Sequence, residues 1–195
     1  MKVIGLTGGV GAGKSTIGAL MEEKFSVRLL MSDCIGHLSM SKGESGYYDI
    51  LKAFGSGILT EEEEIDRQKL SSIVFVNQKK LEQLNEIIHP WVRNYVEKEI
   101  EKERNAGRYQ YFVLESAILL ESGFDDICNE VWYVDADEEI RRKRLKESRN
   151  YSDKKIDDIF ENQKKERNFR DRIHQIIENN EDIESIFSQL EKLLV

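Results

Sequence analysis

The sequence contains very little cysteine and proline, and each shortage narrows the possible protein classes. Two cysteines, Cys34 and Cys128, are too few for a disulfide framework, and their spacing contains no C-x-x-C metal pattern. We therefore expect a protein of the reducing cytoplasm. Pro90 is the single proline, so no proline-rich linker marks a domain boundary. We interpret residues 1–195 as one domain.

Long apolar runs and an overall positive charge are also missing. No apolar run approaches the roughly 18 residues that a bilayer-spanning helix needs. The net charge of −8 argues against a general nucleic-acid-binding protein, because such proteins are usually basic. We therefore expect neither nucleic acid nor a membrane as a partner. Residues 141–172 nevertheless carry 13 basic and 7 acidic side chains, so this segment is either a solvated helical face or a surface for anions.

A glycine-rich segment near the N-terminus carries the most specific motif. The apolar run 2–6 leads into GGVGAGKS at residues 8–15, which fits G-x-x-x-x-G-K-[ST] and precedes a helix-compatible stretch. Because glycine lacks a Cβ atom, backbone N–H groups can turn inward around phosphate oxygens, and the helix N-terminus adds partial positive charge. The motif predicts nucleotide binding by Gly9, Gly11, Ala12, Gly13, Lys14, Ser15 and Thr16.

Two residues of this loop have predicted chemical roles. Lys14 should reach the β- and γ-phosphates, and the Ser15 hydroxyl should hold Mg²⁺. We therefore expect ATP and Mg²⁺ as ligands. The alternative is a glycine-rich turn without a ligand, which the flanking strand and helix disfavour.

The order of apolar segments predicts the fold. Strands are expected at 2–6, 27–31, 109–115, 130–135 and 176–179, and helices at 15–24, 47–54, 65–74, 79–105 and 182–194. We interpret Ser32-Asp33-Cys34 as a loop, and we expect Pro90 to break or kink the long helix. Strands that alternate with helices predict an α/β fold, a three-layer sandwich of the P-loop NTPase type around a parallel sheet. Ligands of such sheets lie at the carboxyl ends of the strands.

Two acids stand at predicted strand ends. Asp33 should lie across the ligand cleft from the phosphate loop, where it could orient an acceptor hydroxyl and take its proton. It could equally cap the next helix. Glu115 ends the third strand, where it could hold Mg²⁺ through water, contact an acceptor, or simply end the strand.

Four arginines between positions 141 and 149 make a cationic lid possible. Guanidinium groups in such a lid would stabilise the migrating phosphoryl charge. We predict this role for Arg144 and Arg149, and we expect Arg141 and Arg142 to face solvent. A lid, a phosphate loop and an acid together favour a small-molecule kinase. A GTPase is disfavoured because the sequence has no N-K-x-D segment, and a short chain disfavours an ATP-driven machine.

Several segments together resemble the dephospho-CoA kinase family over almost the full length of the chain. They are GLTGGVGAGKST at 5–16, Asp33 with Ile35 and His37, IDRQKL at 65–70 with VF at 74–75, LNEIIHP at 84–90, ILLE at 118–121, Gln163, and IEN at 177–179. The resemblance implies transfer of the ATP γ-phosphate to the ribose 3′-hydroxyl of dephospho-CoA. It also implies a helical CoA-binding region at about 60–110 and a lid at about 140–155.

The resemblance also assigns roles to residues. Lys14 and Ser15 take the phosphate and metal roles, Asp33 becomes the catalytic base, and Arg144 or Arg149 acts from the lid. The acceptor site is expected to include Asp33, Arg67, His89, Pro90 and Glu115. On spacing alone, His89 could instead be a structural residue at a helix break. The expected small-molecule partner is dephospho-CoA, and a monomer is favoured.

Three positions depart from the family pattern. Met31 replaces the first acid of a D-x-D loop, Ala117 replaces a proline, and His174 replaces an aspartate near the expected adenine pocket. Two other functions therefore stay open. One is a kinase for another small hydroxylated acceptor, such as a nucleoside or nucleotide, and the other is a non-catalytic ATP-binding protein.

Overall fold

The structure is a computed structural model that describes residues 1–164 and 170–194. Its chain divides into two compact units, Met1–Leu30 together with Ile100–Val195, and Met31–Glu99. We call the first the sheet unit and the second the helical unit. The helical region expected at about 60–110 overlaps the helical unit at residues 60–99, and its role in CoA binding stays a prediction.

The sheet unit is organised around five strands. They are β1 (Lys2–Gly8), β2 (Val27–Met31), β3 (Tyr111–Glu115), β4 (Glu130–Asp135) and β5 (Gln175–Glu178). Their order is β2-β3-β1-β4-β5, and the pairs β1–β3, β1–β4 and β4–β5 are parallel. The chain builds one side of β1 and then the other, so a topological switch point lies at the carboxyl end of β1, where ligands of such sheets bind. The predicted α/β fold is confirmed.

The helices account for most of the remaining described residues. They are α1 (Lys14–Lys24), α2 (Ser32–Ser39), α3 (Ser45–Phe54), α4 (Arg67–Phe75), α5 (Gln78–Ala106), α6 (Glu138–Arg149), α7 (Asp153–Lys164) and α8 (Ile183–Leu194). Within the described parts of the chain, none of these helices has the length and apolar character needed to cross a bilayer.

The loop expected at residues 32–34 is wrong, because these residues form the first turn of helix α2. Ser32, Ile35 and Ser39 are buried, and their spacing places them on one side of a helix. Only one of these three residues is large and apolar, so the hydrophobic periodicity that normally indicates a helix is weak here.

Helix α5 corrects the break expected at Pro90, because it runs without interruption from Gln78 to Ala106. Proline removes one backbone hydrogen bond from a helix interior and crowds the preceding turn. Buried side chains follow it at Val92, Val96 and Ile100. Each buried aliphatic side chain contributes about 1.5–3 kcal/mol, which offsets the loss at the proline.

The core of the sheet unit positions the phosphate loop. Ile17 and Met21 of α1 pack with Leu190 of α8 and with Trp132 and Val134 of β4, all almost fully buried. The helix that follows the loop is therefore fixed on the sheet immediately after the loop. The helical unit has its own core, built from Tyr47, Ile50, Ile58, Ile65, Leu70, Val74 and Leu84.

Candidate active site

The phosphate loop joins β1 to α1 and closes around the ammonium group of Lys14. Gly8, Gly11 and Gly13 have φ angles of 146°, 83° and 97°, which side chains rarely tolerate. A Cβ atom at Gly8 would lie 2.3 Å from the carbonyl oxygen of Val134. Lys14 is buried, and its Nζ donates hydrogen bonds to the carbonyl oxygens of Gly8 at 2.9 Å and Gly9 at 3.3 Å. The positive φ angles and the two Lys14 bonds therefore fix the conformation of the loop.

Ser15 and Glu115 form a second part of the site. The Ser15 hydroxyl donates to Glu115 Oε1 at 2.8 Å, and the glutamate is 7% exposed. Glu115 ends β3 in register with Leu6 of β1, which explains why it meets the start of α1. Among the described residues there is no group of three or more His, Cys, Asp or Glu that could hold a metal. A hydroxyl and one carboxylate still suit Mg²⁺, which keeps several waters and binds substrate phosphates as well.

Arg144 reaches the phosphate loop from α6. Its Nη1 lies 3.4 Å from the Ala12 carbonyl oxygen, and its Nη2 donates to Asn179 Oδ1 at 3.2 Å. The guanidinium group is therefore next to the place where a nucleotide phosphate would bind. This geometry supports the lid role predicted for Arg144.

Arg141 was expected to face solvent, and that expectation is wrong. It is half-buried, its Nε donates to the Val10 carbonyl oxygen at 2.9 Å, and its Nη2 donates to Gln163 Oε1. Its guanidinium carbon lies 4.4 Å from the centre of the Phe160 ring. Positions 141 and 144 are three residues apart, so both side chains leave the same face of α6. That face is the one turned toward the loop.

Arg142 and Arg149 have other surroundings. Arg142 was also expected to face solvent, but it is half-buried and pairs with Asp153 at 3.2 Å and Asp157 at 2.6 Å, which ties α6 to α7. The bond to Asp157 raises the arginine pKa. Arg149 is exposed at the end of α6, beside Tyr151, and its hydrogen bond lowers the pKa of that phenol. The lid role of Arg149 stays a prediction.

In the helical unit, Asp33 is the second residue of α2 and is exposed. The N-cap position belongs to Met31, and no side-chain hydrogen bond caps the helix. The interpretation of Asp33 as a helix cap is therefore wrong. Its carboxylate is available to a substrate, as the predicted base role requires.

An open groove of about 860 Å³ also lies in the helical unit. Its walls include His37, Met40, Arg67, Leu70, Phe75, Val76 and Leu84. Phe75 and Val76 are 89% and 81% exposed. Large exposed apolar side chains often mark a binding surface, and Arg67 adds a positive charge. The sequence interpretation did not place Phe75 or Val76 in the site, although VF at 74–75 belongs to the family-like pattern.

His89 and Pro90 lie in the interior of α5. His89 is half-buried, and burial lowers its pKa, whereas Pro90 is exposed. Because the helix continues through both residues, the helix-break interpretation of His89 is wrong. Their place in the acceptor site stays a prediction.

His174 lines a cavity of about 710 Å³ in the sheet unit, together with Arg141 and Phe160. Its ring Nδ1 accepts the Val131 backbone N–H at 3.1 Å, and the His174 backbone N–H donates to the Val131 carbonyl oxygen at 2.8 Å. The family-like pattern has an aspartate here, whose carboxylate could accept the same bond. His174 therefore keeps a hydrogen-bond acceptor at the start of β5.

Two residues of the site were not predicted as site residues. Asn179 is 4% exposed, and its Nδ2 donates to the Ala12 carbonyl oxygen at 2.7 Å. Gln163 Oε1 accepts the Val10 N–H at 3.3 Å. Both belong to segments that carry the family resemblance. A polar side chain at the carboxyl end of β5 was the available signal for Asn179.

Comparison with known proteins identifies the family. Residues 2–185 match the family model described as dephospho-CoA kinase. The chain is 34% identical over 192 residues to the dephospho-CoA kinase of Oceanobacillus iheyensis, covering 98% of this chain and 96% of that protein.

Solved structures agree on the fold. The crystal structure of TT1252 from Thermus thermophilus has a TM-score of 0.81 at 24% identity, covering 99% of this chain and 96% of that chain. Dephospho-CoA kinase from Campylobacter jejuni has a TM-score of 0.72 at 20% identity, covering 100% and 98%. At these identities the structures show the fold alone, while the family model and the sequence relative show the family. The chain belongs to the dephospho-CoA kinase family of transferases.

Proposed function

We propose that the protein transfers the γ-phosphate of ATP to the ribose 3′-hydroxyl of dephospho-CoA, giving coenzyme A and ADP. The observation that carries this proposal is the glycine-rich loop that closes around Lys14, in a chain of this family. Phosphoryl transfer requires mainly positioning and neutralisation of charge. The described side chains supply groups for both.

The nucleotide phosphates bind to the loop. The backbone N–H groups between Gly9 and Thr16 hold the phosphate oxygens, and Lys14 turns from the loop carbonyls to the β- and γ-phosphates. Ser15 and Glu115 are the residues that would hold Mg²⁺, because their oxygens already lie 2.8 Å apart. When bound, the ion would neutralise negative charge on the phosphates.

The acceptor side uses residues of the helical unit. Asp33 orients the 3′-hydroxyl and takes its proton as the phosphoryl group arrives. Arg67, with His89 and Pro90, contributes to acceptor binding. Arg144 stabilises the charge that develops on the transferred group, and Arg149 assists from the end of α6.

The location and oligomeric state belong to the same proposal. We place the protein in the cytoplasm as a monomer with dephospho-CoA as its small-molecule partner. Both cysteines are free, as in a reducing compartment, and burial raises the pKa of the Cys128 thiol to about 12. Sedimentation of the purified protein at several concentrations tests whether it is a monomer in solution.

The test is ADP release from Mg²⁺-ATP with and without dephospho-CoA, followed by identification of the phosphorylated position. Strong stimulation and a ribose 3′-phosphate product are expected. If only nucleosides or nucleotides stimulated ADP release, the acceptor would be one of these compounds and not dephospho-CoA. ATP binding without stimulation of ADP release by dephospho-CoA, nucleosides or nucleotides would indicate a non-catalytic ATP-binding protein. Omission of Mg²⁺ from the same assay should abolish turnover.

A further inference from the structure

Two carbonyl groups of the phosphate loop are held by side chains from outside the loop. The Val10 carbonyl oxygen accepts from Arg141 Nε at 2.9 Å. The Ala12 carbonyl oxygen accepts from Asn179 Nδ2 at 2.7 Å, with Arg144 Nη1 farther away at 3.4 Å. The loop is therefore fixed at two peptide groups that its own motif does not fix.

The geometry of the peptide group links these carbonyl contacts to the orientation of the N–H groups that would bind phosphate. In a trans peptide, the C=O and the N–H of the same plane point in opposite directions, and the described chain contains no cis peptide bond. The Val10 carbonyl shares its plane with the Gly11 N–H, and the Ala12 carbonyl shares its plane with the Gly13 N–H. A carbonyl that is held outward therefore turns its partner N–H toward the inside of the loop.

Each holding side chain occupies the space that a glycine leaves open. A Cβ atom at Gly9 would lie 2.5 Å from the guanidinium carbon of Arg141. A Cβ atom at Gly13 would lie 2.2 Å from Asn179 Nδ2. Gly13, with its φ angle of 97°, also contributes to the conformation of the loop, and both glycines admit the side chains that hold it.

Both side chains are themselves fixed in place. Arg141 lies over the Phe160 ring and donates to Gln163, whose Oε1 also accepts the Val10 N–H. Asn179 is almost completely buried, and its backbone N–H donates to the Asp135 carbonyl oxygen at 2.8 Å. Rigid partners hold a peptide plane more firmly than mobile surface side chains do.

We propose that Arg141 and Asn179 are positioning residues for phosphate binding, which orient the N–H groups of Gly11 and Gly13 by holding the Val10 and Ala12 carbonyls. The inference rests on the proposed function only in requiring that a nucleotide phosphate binds this loop. It does not depend on the identity of the acceptor.

The test removes each donor with little change in volume. In Asn179→Asp the carboxylate cannot donate to the Ala12 carbonyl, and in Arg141→Met the side chain keeps its length without a donor. Each variant should weaken ADP binding, measured by calorimetry, about tenfold, since one well-ordered hydrogen bond contributes on that scale. The KM for ATP should rise while the KM for dephospho-CoA stays unchanged. Arg141→Lys, which keeps a donor, should recover part of the affinity.

Neighbouring residues supply matched controls. Arg142→Met removes an arginine that binds Asp153 and Asp157. Asn180→Asp keeps the oxygen that accepts the Asp137 N–H at 2.7 Å. Both should bind ADP as the wild type does. Thermal unfolding of every variant identifies any that fails to fold.

Three results would overturn the inference. One is wild-type ADP affinity in folded Asn179→Asp and Arg141→Met. Another is a parallel loss for ADP and dephospho-CoA with a lowered melting temperature, which indicates general damage to the fold. The third is an equal loss in the controls. If the wild type binds ADP but does not phosphorylate dephospho-CoA, the proposed function fails while the ADP measurements still decide this inference.

Discussion

The phosphate loop of the sheet unit and the groove of the helical unit differ in how far contacts within the protein hold their groups. In the loop, backbone groups already have partners, as in the bonds from Lys14 to the carbonyls of Gly8 and Gly9. In the helical unit, Asp33 is exposed, and Phe75 and Val76 expose most of their apolar surface. The loop is therefore held by contacts within the protein, whereas the helical unit presents exposed side chains that are accessible to a ligand.

This difference predicts which properties of the protein a substitution in each unit changes. A change in the loop alters the backbone, so it should affect nucleotide binding and stability together. A change at an exposed side chain of the helical unit should affect turnover or acceptor binding at little cost in stability. The following variants test that division, from the largest expected effect to the smallest.

The largest effect is expected for Lys14→Ala, which removes the ammonium group at the centre of the loop. Turnover should fall about 10³-fold or more, because the charge of the transferred phosphate loses its fixed partner. Acceptor-dependent ADP release measures the change. Lys24→Ala, at the exposed end of the same helix, is the matched control and should keep normal turnover. If Lys14→Ala retained a tenth of the activity, Lys14 would not have the assigned role.

Asp33→Asn should separate chemistry from nucleotide binding. Turnover should fall about 10²–10⁴-fold, the usual contribution of a general base, while the calorimetric affinity for ADP and the melting temperature stay unchanged. Asp49→Asn changes another exposed aspartate of the helical unit and should leave turnover normal. Wild-type turnover in Asp33→Asn would remove Asp33 from the mechanism.

A pair of glycines compares the two units directly. Gly13 and Gly43 have φ angles of 97° and 103°, but a Cβ atom would meet Asn179 at Gly13 and nothing within 4 Å at Gly43. Gly43→Ala should therefore cost only backbone strain, about 1–2 kcal/mol in urea unfolding, with normal ADP binding. Gly13→Ala should cost about 1–3 kcal/mol more, because Asn179 must give up its bond to Ala12, and ADP affinity should fall. Equal costs at the two positions would show that Asn179 yields freely.

The sequence predicted the sheet better than it predicted the small helix of the site. The bounds of β2 and β4 agree with the structure because each is a short apolar run between polar residues. Helix α2 was missed because two serines and one isoleucine form its buried face. The continuity of α5 through Pro90 was missed because buried side chains before and after the proline, such as Leu84 and Val92, outweigh the low helix propensity of proline.

The candidate site divides in the same way. The loop residues were predicted because their chemistry depends on backbone geometry, which a short motif specifies. The contacts that hold the loop come from far along the chain: Arg141 lies 131 positions from Val10, and Asn179 lies 167 positions from Ala12. Only the folded sheet and α6 bring such residues together. Helical spacing did place Arg141 and Arg144 on one face, but it could not show where that face points.

The smallest effect is expected in the pH dependence of stability, and it belongs to the helical unit. Burial lowers the pKa of His89 in the folded protein, whereas the unfolded chain should bind this proton near pH 6.5. Below about pH 6.5 the unfolded state therefore carries more protons, so the free energy of unfolding should decrease as the pH falls toward the folded-state pKa. In His89→Gln this contribution is absent, and urea unfolding between pH 7.5 and 5.5 should show a shallower decrease than in the wild type. Equal slopes in the two proteins would mean that protonation of His89 does not destabilise the folded state.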